Sequence, residues 1–305
     1  MKKKFLLCVG CQKGGTTWLA EYLEGAPGFR LGAQKEMHVL DTHFFAPDWL
    51  QGRLRSDRDL LAKLPAGAEA EREEVTERIA ARELCQGLVG DLDAYARYFR
   101  DLAKSADVVA DMTPNYALLT AAQWRSTRDA LERNGLAPRI LFLMRDPERR
   151  MESAWRMRER NARGSVAPRS PRPVPRWRLL LRRASGPAGA QAASNHPYLA
   201  FASNDNLARS RYETTIRAIE QVFPAEDIHY AFYENLFRPD TIAAINAFLG
   251  LPDRPADFGA RVNASPVVKP IDPAERARVR ALLEPTYRFC EERFGEGQIR
   301  AIWKR

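Results

Sequence analysis

The stretch Val9–Leu23, VGCQKGGTTWLAEYL, joins an apolar run, Phe5–Gly10, to a helical pattern that begins at Thr16. A strand that ends in a glycine turn and feeds a helix presents backbone N–H groups to an anion. The stretch nearly matches the phosphate-binding pattern G-x-x-x-x-G-K-[ST]. Gly10, Gly15 and Thr17 are in place, Thr16 stands where the lysine belongs, and the lysine is three residues earlier, at Lys13. Three readings are open: a nucleotide-hydrolysing loop without its lysine, an intact loop for another anion, or a plain glycine-rich turn.

Three more short apolar runs follow, at Asp107–Met112, Arg139–Arg145 and Ile228–Tyr233. Continuous rather than alternating hydrophobicity suits a sheet covered on both faces. Helical patterns alternate with them at Thr16–Leu23, Ala70–Leu84, Leu92–Lys104, Ala117–Arg133, Pro147–Arg160, Asn206–Val222, Thr241–Leu249 and Pro273–Arg293. The alternation predicts an α/β fold, P-loop-like, with a mostly parallel central sheet flanked by helices in one domain over 1–305. The proline- and arginine-rich segment 161–195 breaks the pattern and reads as a mobile insertion. Ala70–Leu84 reads as a solvated surface helix with Glu74 and Arg78 at i,i+4 spacing.

The chain has 305 residues and a net charge of +9, which calls for an anionic ligand or partner. Arginine is spread along the chain without a helix-turn-helix, zinc-finger or RRM signature, so nucleic acid is not the expected partner. No apolar run is long enough for a membrane span. The start, MKKKFLLCVG, reads as a first strand, its apolar run being too short for a signal peptide. Four cysteines and four histidines show no metal-ligand spacing. Reduced thiols and a cytoplasmic location are expected, with no metal.

Ligands of open α/β sheets bind beyond the carboxyl ends of the strands. A second candidate there is Arg145–Ser153, RDPERRMES, after the third run. Asp146 suits an N-cap and Pro147 the first helical position. Arg145 then stands at the strand end with Ser153 about two turns along the helix, and the pair could hold a phosphate. Capped helix and ordinary surface arginines is the competing reading. Two anion grips at one sheet edge suit a nucleotide with a 3′-phosphate and a 5′-phosphosulfate.

On these residues the chain resembles the sulfotransferases that use 3′-phosphoadenosine 5′-phosphosulfate (PAPS). QKGGTTWL is similar to their 5′-phosphosulfate loop, RDPERRMES to their 3′-phosphate motif, and Phe223–Leu251 to their C-terminal strand–helix stretch. The resemblance implies a sulfuryl donor, PAPS, that leaves as 3′-phosphoadenosine 5′-phosphate (PAP) without a metal. It implies donor contacts from Lys13, Gly14, Gly15, Thr16, Thr17, Trp18, Arg145 and Ser153, with core packing as the competing role of Trp18. Lys35–Phe45, KEMHVLDTHFF, resembles KE-x-H-F-F-D of the heparan sulfate sulfotransferases and their bacterial relatives. That implies Glu36 as catalytic base, with His38 and Asp41 holding the acceptor, a carbohydrate or small molecule. A Lys35–Glu36 surface ion pair and a packed His38 are the competing readings, and His43 reads as surface. The chain departs from the animal glycan enzymes at Met112, where they have a lysine, and at Val39 and Leu40, where they have aromatics.

Two other functions compete. A P-loop kinase would use Asp111, after an apolar strand, to hold magnesium. A nonenzymatic binder of acidic polymers would use the basic stretch 156–183. Segments 42–60 and 161–195 are expected to line the acceptor cleft, and Arg261–Ser265 with Lys269 to close over the nucleotide.

Overall fold

The computed structural model describes residues 2–164, 197–259 and 270–304. They form two compact units: Met1–Met144 with Thr214–Ala260, and Arg145–Glu213 with Arg261–Arg305.

The first unit holds the sheet. Its strands are β1 (Lys3–Gly10), β2 (Phe29–Leu31), β3 (Val108–Asp111), β4 (Leu136–Met144) and β5 (Ile228–Phe232). They lie in the order β2-β3-β1-β4-β5, and every pairing is parallel. Residues Phe5–Val9 of the central strand are fully buried, as continuous apolar runs require. β4 starts three residues before the expected Arg139 and includes Pro138, which has no N–H for a ladder. β5 joins β4 only from Ile140 on, so one edge of β4 is still open at Pro138.

Around the sheet the chain forms α1 (Thr16–Glu24), α2 (Val39–Phe44), α3 (Trp49–Lys63), α4 (Glu69–Leu88), α5 (Leu92–Leu102) and α6 (Ala121–Arg133). α5 sets Tyr95 and Phe99 against Phe5 of β1, with ring centroids 6.0 and 4.4 Å away. The helix expected from Ala117 begins at Ala121 instead, because Pro114–Leu118 forms a 3₁₀ turn. A capping box then restarts the chain: Thr120 accepts from the Gln123 N–H while the Gln123 side chain takes the Thr120 N–H. The expected solvated helix is α4, with the Arg78–Glu74 ion pair at 3.2 Å.

The second unit contains α7 (Pro147–Gly164), α8 (Pro197–Phe201), and, after a gap in the described chain, α12 (Pro273–Phe294) and α13 (Glu296–Trp303). Between these, α9 (Tyr212–Glu220) crosses the boundary of the two units, and α10 (Tyr233–Leu236) and α11 (Pro239–Leu249) belong to the first. The helix expected over Asn206–Val222 is interrupted. The fully buried Arg150 guanidinium takes the Asn206 carbonyl at 2.9 Å and Ser210 Oγ at 2.8 Å, so a π-helical turn over Ala202–Asn206 precedes α9. Of the expected insertion 161–195, residues 161–164 are the last turn of α7. The rest lies outside the described residues, as do Arg261–Ser265 and Lys269. No helix among the described residues is long and apolar enough to cross a membrane. All four cysteines are buried free thiols.

Candidate active site

Because β1, β2 and β3 are parallel, the segments that leave their carboxyl ends emerge along one edge. These are the glycine loop after β1, the Lys35–Asp41 segment after β2 and the Thr113–Tyr116 turn after β3.

In the loop, the Cys11 N–H donates to the Leu143 carbonyl on β4, and Gly14 N–H donates to the Cys11 carbonyl at 2.9 Å. A Cβ on Gly14 would lie 2.9 Å from the Cys11 carbonyl oxygen and 3.0 Å from that of Leu143. Gly15 has φ +90 at the cap of α1, and a Cβ there would lie 2.8 Å from Leu236 Cδ2. Only glycine fits either position. Lys13 also takes the left-handed conformation, with φ +71. No side chain caps α1 and no acidic residue occupies its first turn, so its amide dipoles stay directed at an incoming anion. Thr16 is buried and Thr17 half-buried beside these amides. Trp18 is 6% exposed, donates to the Asp257 carbonyl at 3.1 Å, and stacks between Tyr22 and Phe258. Packing is the role visible for it.

Glu36, His38 and Asp41 come together as one bonded group. His38 Nδ1 lies 2.8 Å from Asp41 Oδ2 and its Nε2 lies 3.4 Å from Glu36 Oε2, while the ring stacks on Trp49 with centroids 3.6 Å apart. The Lys35–Glu36 ion pair is also present, at 2.9 Å, so Glu36 is flanked by two cationic groups. Burial would lift the Glu36 carboxyl. The His38 hydrogen bond and the Lys35 charge outweigh it and hold the group at about 2. Burial would likewise lower His38, but the Asp41 charge and hydrogen bond, helped by Glu36, raise it to about 9. Near neutral pH the group is therefore an imidazolium between two carboxylates. His38 has φ +56, a conformation that costs a β-carbon residue about 1–2 kcal/mol and needs fixed neighbours. His43 is half-exposed and accepts the Gly90 N–H at Nδ1, 3.1 Å.

The fixed neighbours are residues the motif reading left unassigned. Thr113 and Tyr116 hydroxyls accept from the backbone of residues 38–40, and Asn115 donates to Asp41 Oδ2 at 2.5 Å. Asp111, the expected magnesium ligand of a kinase, is fully buried at the end of β3. Its oxygens accept from Thr113 at 2.6 Å, Tyr116 at 2.7 Å and Tyr95 at 2.9 Å. That carboxylate is a buried structural hub whose oxygens are taken by three hydroxyls. The available signal was DMTPNY, a carboxylate at a strand end followed by two hydroxyl side chains.

Arg145 and Ser153 belong to the second unit. Arg145 is half-buried at the end of β4, its carbonyl held by Tyr212 OH at 2.7 Å. Asp146 caps α7 as expected, accepting the Arg149 N–H at 3.0 Å, and Tyr287 OH donates to the same oxygen at 2.9 Å. Ser153 is half-buried on α7. This capping fixes where α7 starts, and so the spacing from Arg145 to Ser153.

No protein-family model matches the chain, and no curated protein sequence matches it at a significant level. The structure is similar over its whole length to the whole of a crystallised sulfotransferase from Alicyclobacillus acidocaldarius, with 20% identity and a TM-score of 0.56. The chain has a sulfotransferase fold. Two other solved sulfotransferase domains are similar at lower scores. That of the Synechococcus PCC 7002 olefin synthase has 21% identity and a TM-score of 0.47, with 96% of this chain and 95% of that one covered. That of the curacin biosynthetic pathway has 16% identity and a TM-score of 0.47, with 93% and 97% covered. In the sulfotransferase fold described here, the glycine loop leaves the central strand, and the Glu36–His38–Asp41 group follows the outer strand β2.

Proposed function

We propose that this chain transfers a sulfuryl group from PAPS, as donor substrate, to a hydroxyl or amine of an acceptor, a carbohydrate or small molecule. The observation that carries the reading is an anion loop, with its lysine ahead of the glycines, sharing one sheet edge with a carboxylate bonded to a histidine. In-line attack forms the acceptor O–S (or N–S) bond as the bond from sulfur to the bridging phosphate oxygen breaks. PAP departs and the acceptor proton passes to Glu36. Lys13 follows the charge that develops on the bridging oxygen, while Thr16, Thr17 and the loop amides from Gly15 on hold the nonbridging oxygens, with Gly14 shaping the turn. Arg145 and Ser153 take the 3′-phosphate, so that binding energy remote from sulfur fixes the geometry. Trp18, packed against Tyr22, Phe237 and Phe258, anchors the helix that follows the loop.

Glu36 at about 2 is a weak proton acceptor while Lys35 and His38 both hold it. The reading therefore requires the acceptor hydroxyl to displace one of those partners and take its place on a Glu36 oxygen. His38 and Asp41 then orient the acceptor rather than accept its proton.

Calorimetric titration with PAP in the absence of metal, beside ATP with magnesium, tests the reading. Metal-free PAP binding that is lost in Lys13→Ala and weakened in Arg145→Ala supports it. Binding of ATP with magnesium alone would overturn it in favour of phosphoryl transfer.

A further inference from the structure

Three consecutive backbone N–H groups open α2, and none is taken by a local cap. The cap residue is His38, which makes no side-chain capping bond. These are the donors a helix start leaves without internal partners. Here they go to a different part of the chain. The His38 N–H donates to Thr113 Oγ1 at 3.4 Å, and the Val39 and Leu40 N–H groups donate to Tyr116 OH at 3.1 and 3.3 Å. Each of those hydroxyls in turn donates its own proton to Asp111. A hydroxyl has one proton to give; once it is committed to a carboxylate, its lone pairs are left facing the amides, and each bond polarises the next.

Asp111 is anchored in the sheet, where β3 pairs with β1 at Leu7. The ring of His38 is thus held by Glu36 at Nε2, Asp41 at Nδ1 and Trp49 in a stack, while its backbone N–H is held by the Asp111-linked Thr113 hydroxyl. Asn115, from the same turn as Thr113 and Tyr116, bonds the Asp41 oxygen that holds His38 Nδ1. Tyr95 also donates to Asp111, at 2.9 Å, but comes from α5 and bonds none of the amides of residues 38–40.

We infer that Asp111, acting through Thr113 and Tyr116, is the positioning residue that holds His38 against Glu36, and that Tyr95 serves only to satisfy the carboxylate. The catalytic meaning of this arrangement rests on Glu36 being the base; the arrangement itself does not.

The test is an NMR titration of the His38 ring, with hydrogen exchange at the Val39 and Leu40 amides, in the wild-type chain, Tyr116→Phe and Tyr95→Phe. Both substitutions remove one hydroxyl donor from the same buried carboxylate, so a general loosening of the core affects them alike. Tyr116→Phe should move the His38 midpoint toward 6.5 by about one unit or more and speed exchange at residues 39 and 40 by about tenfold or more. Tyr95→Phe should leave both near their wild-type values. Equal displacement in the two variants, or none in Tyr116→Phe, overturns the inference. If Tyr116→Phe does not fold, Thr113→Ser and Thr113→Val replace it. Serine should keep the His38 midpoint and valine should shift it, and identical behaviour of the two overturns the inference. Full turnover in Glu36→Gln would sink the base assignment without bearing on the titrations of the Tyr116 and Tyr95 variants, in which Glu36 is intact, so the two failures can be told apart.

Discussion

Raising the pH through the His38 midpoint should weaken the fold by an amount set by the two carboxylates around the ring. Burial opposes the imidazolium, yet Asp41 and Glu36 lift the group from 6.5 to about 9. The folded chain therefore holds this proton more tightly than the unfolded chain. The stabilisation is complete below pH 6.5 and is withdrawn as the pH rises through about 9. A rise from 6.5 to about 9, at about 1.4 kcal/mol per pH unit, amounts to about 3.5 kcal/mol. The His38 side chain is only 10% exposed, so solvent screens it little. Glu36 is 43% exposed, and its lowered midpoint describes the same contact, so it is not added again. Urea unfolding of the wild-type chain and His38→Gln, from pH 6 to 8.5, measures the effect. Glutamine keeps hydrogen-bonding capacity but cannot charge. The wild-type chain should lose about 1.4 kcal/mol per pH unit relative to the variant between about pH 7 and 8.5. His43 and His229, both lowered by burial, titrate in both proteins and cancel in the difference. Cys8 and Cys85, which burial raises to about 12, likewise cancel, and stopping at pH 8.5 keeps both proteins below the unfolded thiol midpoint of 9.0. Parallel stability profiles for the two proteins would refute the reasoning.

Glu36→Gln should cut turnover by about 10²- to 10⁴-fold while nucleotide affinity, read by calorimetry, stays nearly constant; a fully active variant removes Glu36 from the mechanism. Arg145→Ala should weaken PAP binding by about ten- to a hundredfold, the worth of a hydrogen bond to a charged group. Unchanged affinity there would separate Arg145 from the nucleotide. Gly15→Ala sets a Cβ against Leu236 and Tyr233 at a left-handed position and should cost about 3 kcal/mol in urea unfolding. A cost below about 1 kcal/mol would mean that α10 yields freely to the added methyl.

β1, β3 and β4 are legible because burial on both faces demands an apolar run, and β5 is legible from its apolar end although Ile228–Tyr230 are only half-buried at the sheet edge. β2 is not, since Phe29–Leu31 is three residues long and shorter than any periodicity can register. α3 is hidden for another reason. Its buried residues are only Leu50, Leu54 and Asp57, and the last of these is an acid paired with Arg78 and Arg82 on α4, so its inner face does not look apolar. The early start given to α6 ignores Thr120 and Gln123, whose capping-box spacing was present to be read. The break before α9 could not be read at all, because its cause is the side chain of Arg150, more than fifty residues earlier.

The same division between local and distant causes runs through the site. The glycine loop is legible because its determinants are within a few residues: Gly14 and Gly15 where no Cβ fits, Lys13 ahead of them, and a helix start without an acid. Glu36, His38 and Asp41 are legible as a group because they lie within six consecutive residues. What holds them is not, since the hydroxyls that take the amides of residues 38–40 lie 75 to 77 positions further along the chain. Asp111 shows what that distance conceals. In sequence, a carboxylate closing an apolar strand has the same appearance whether it faces a metal or a set of hydroxyls. Exposure distinguishes them: Glu36 keeps 43% of its side chain open to solvent, and Asp111 keeps none. A buried carboxylate with three hydroxyl donors has no oxygen left for chemistry, and its remaining capacity is to hold other groups in place.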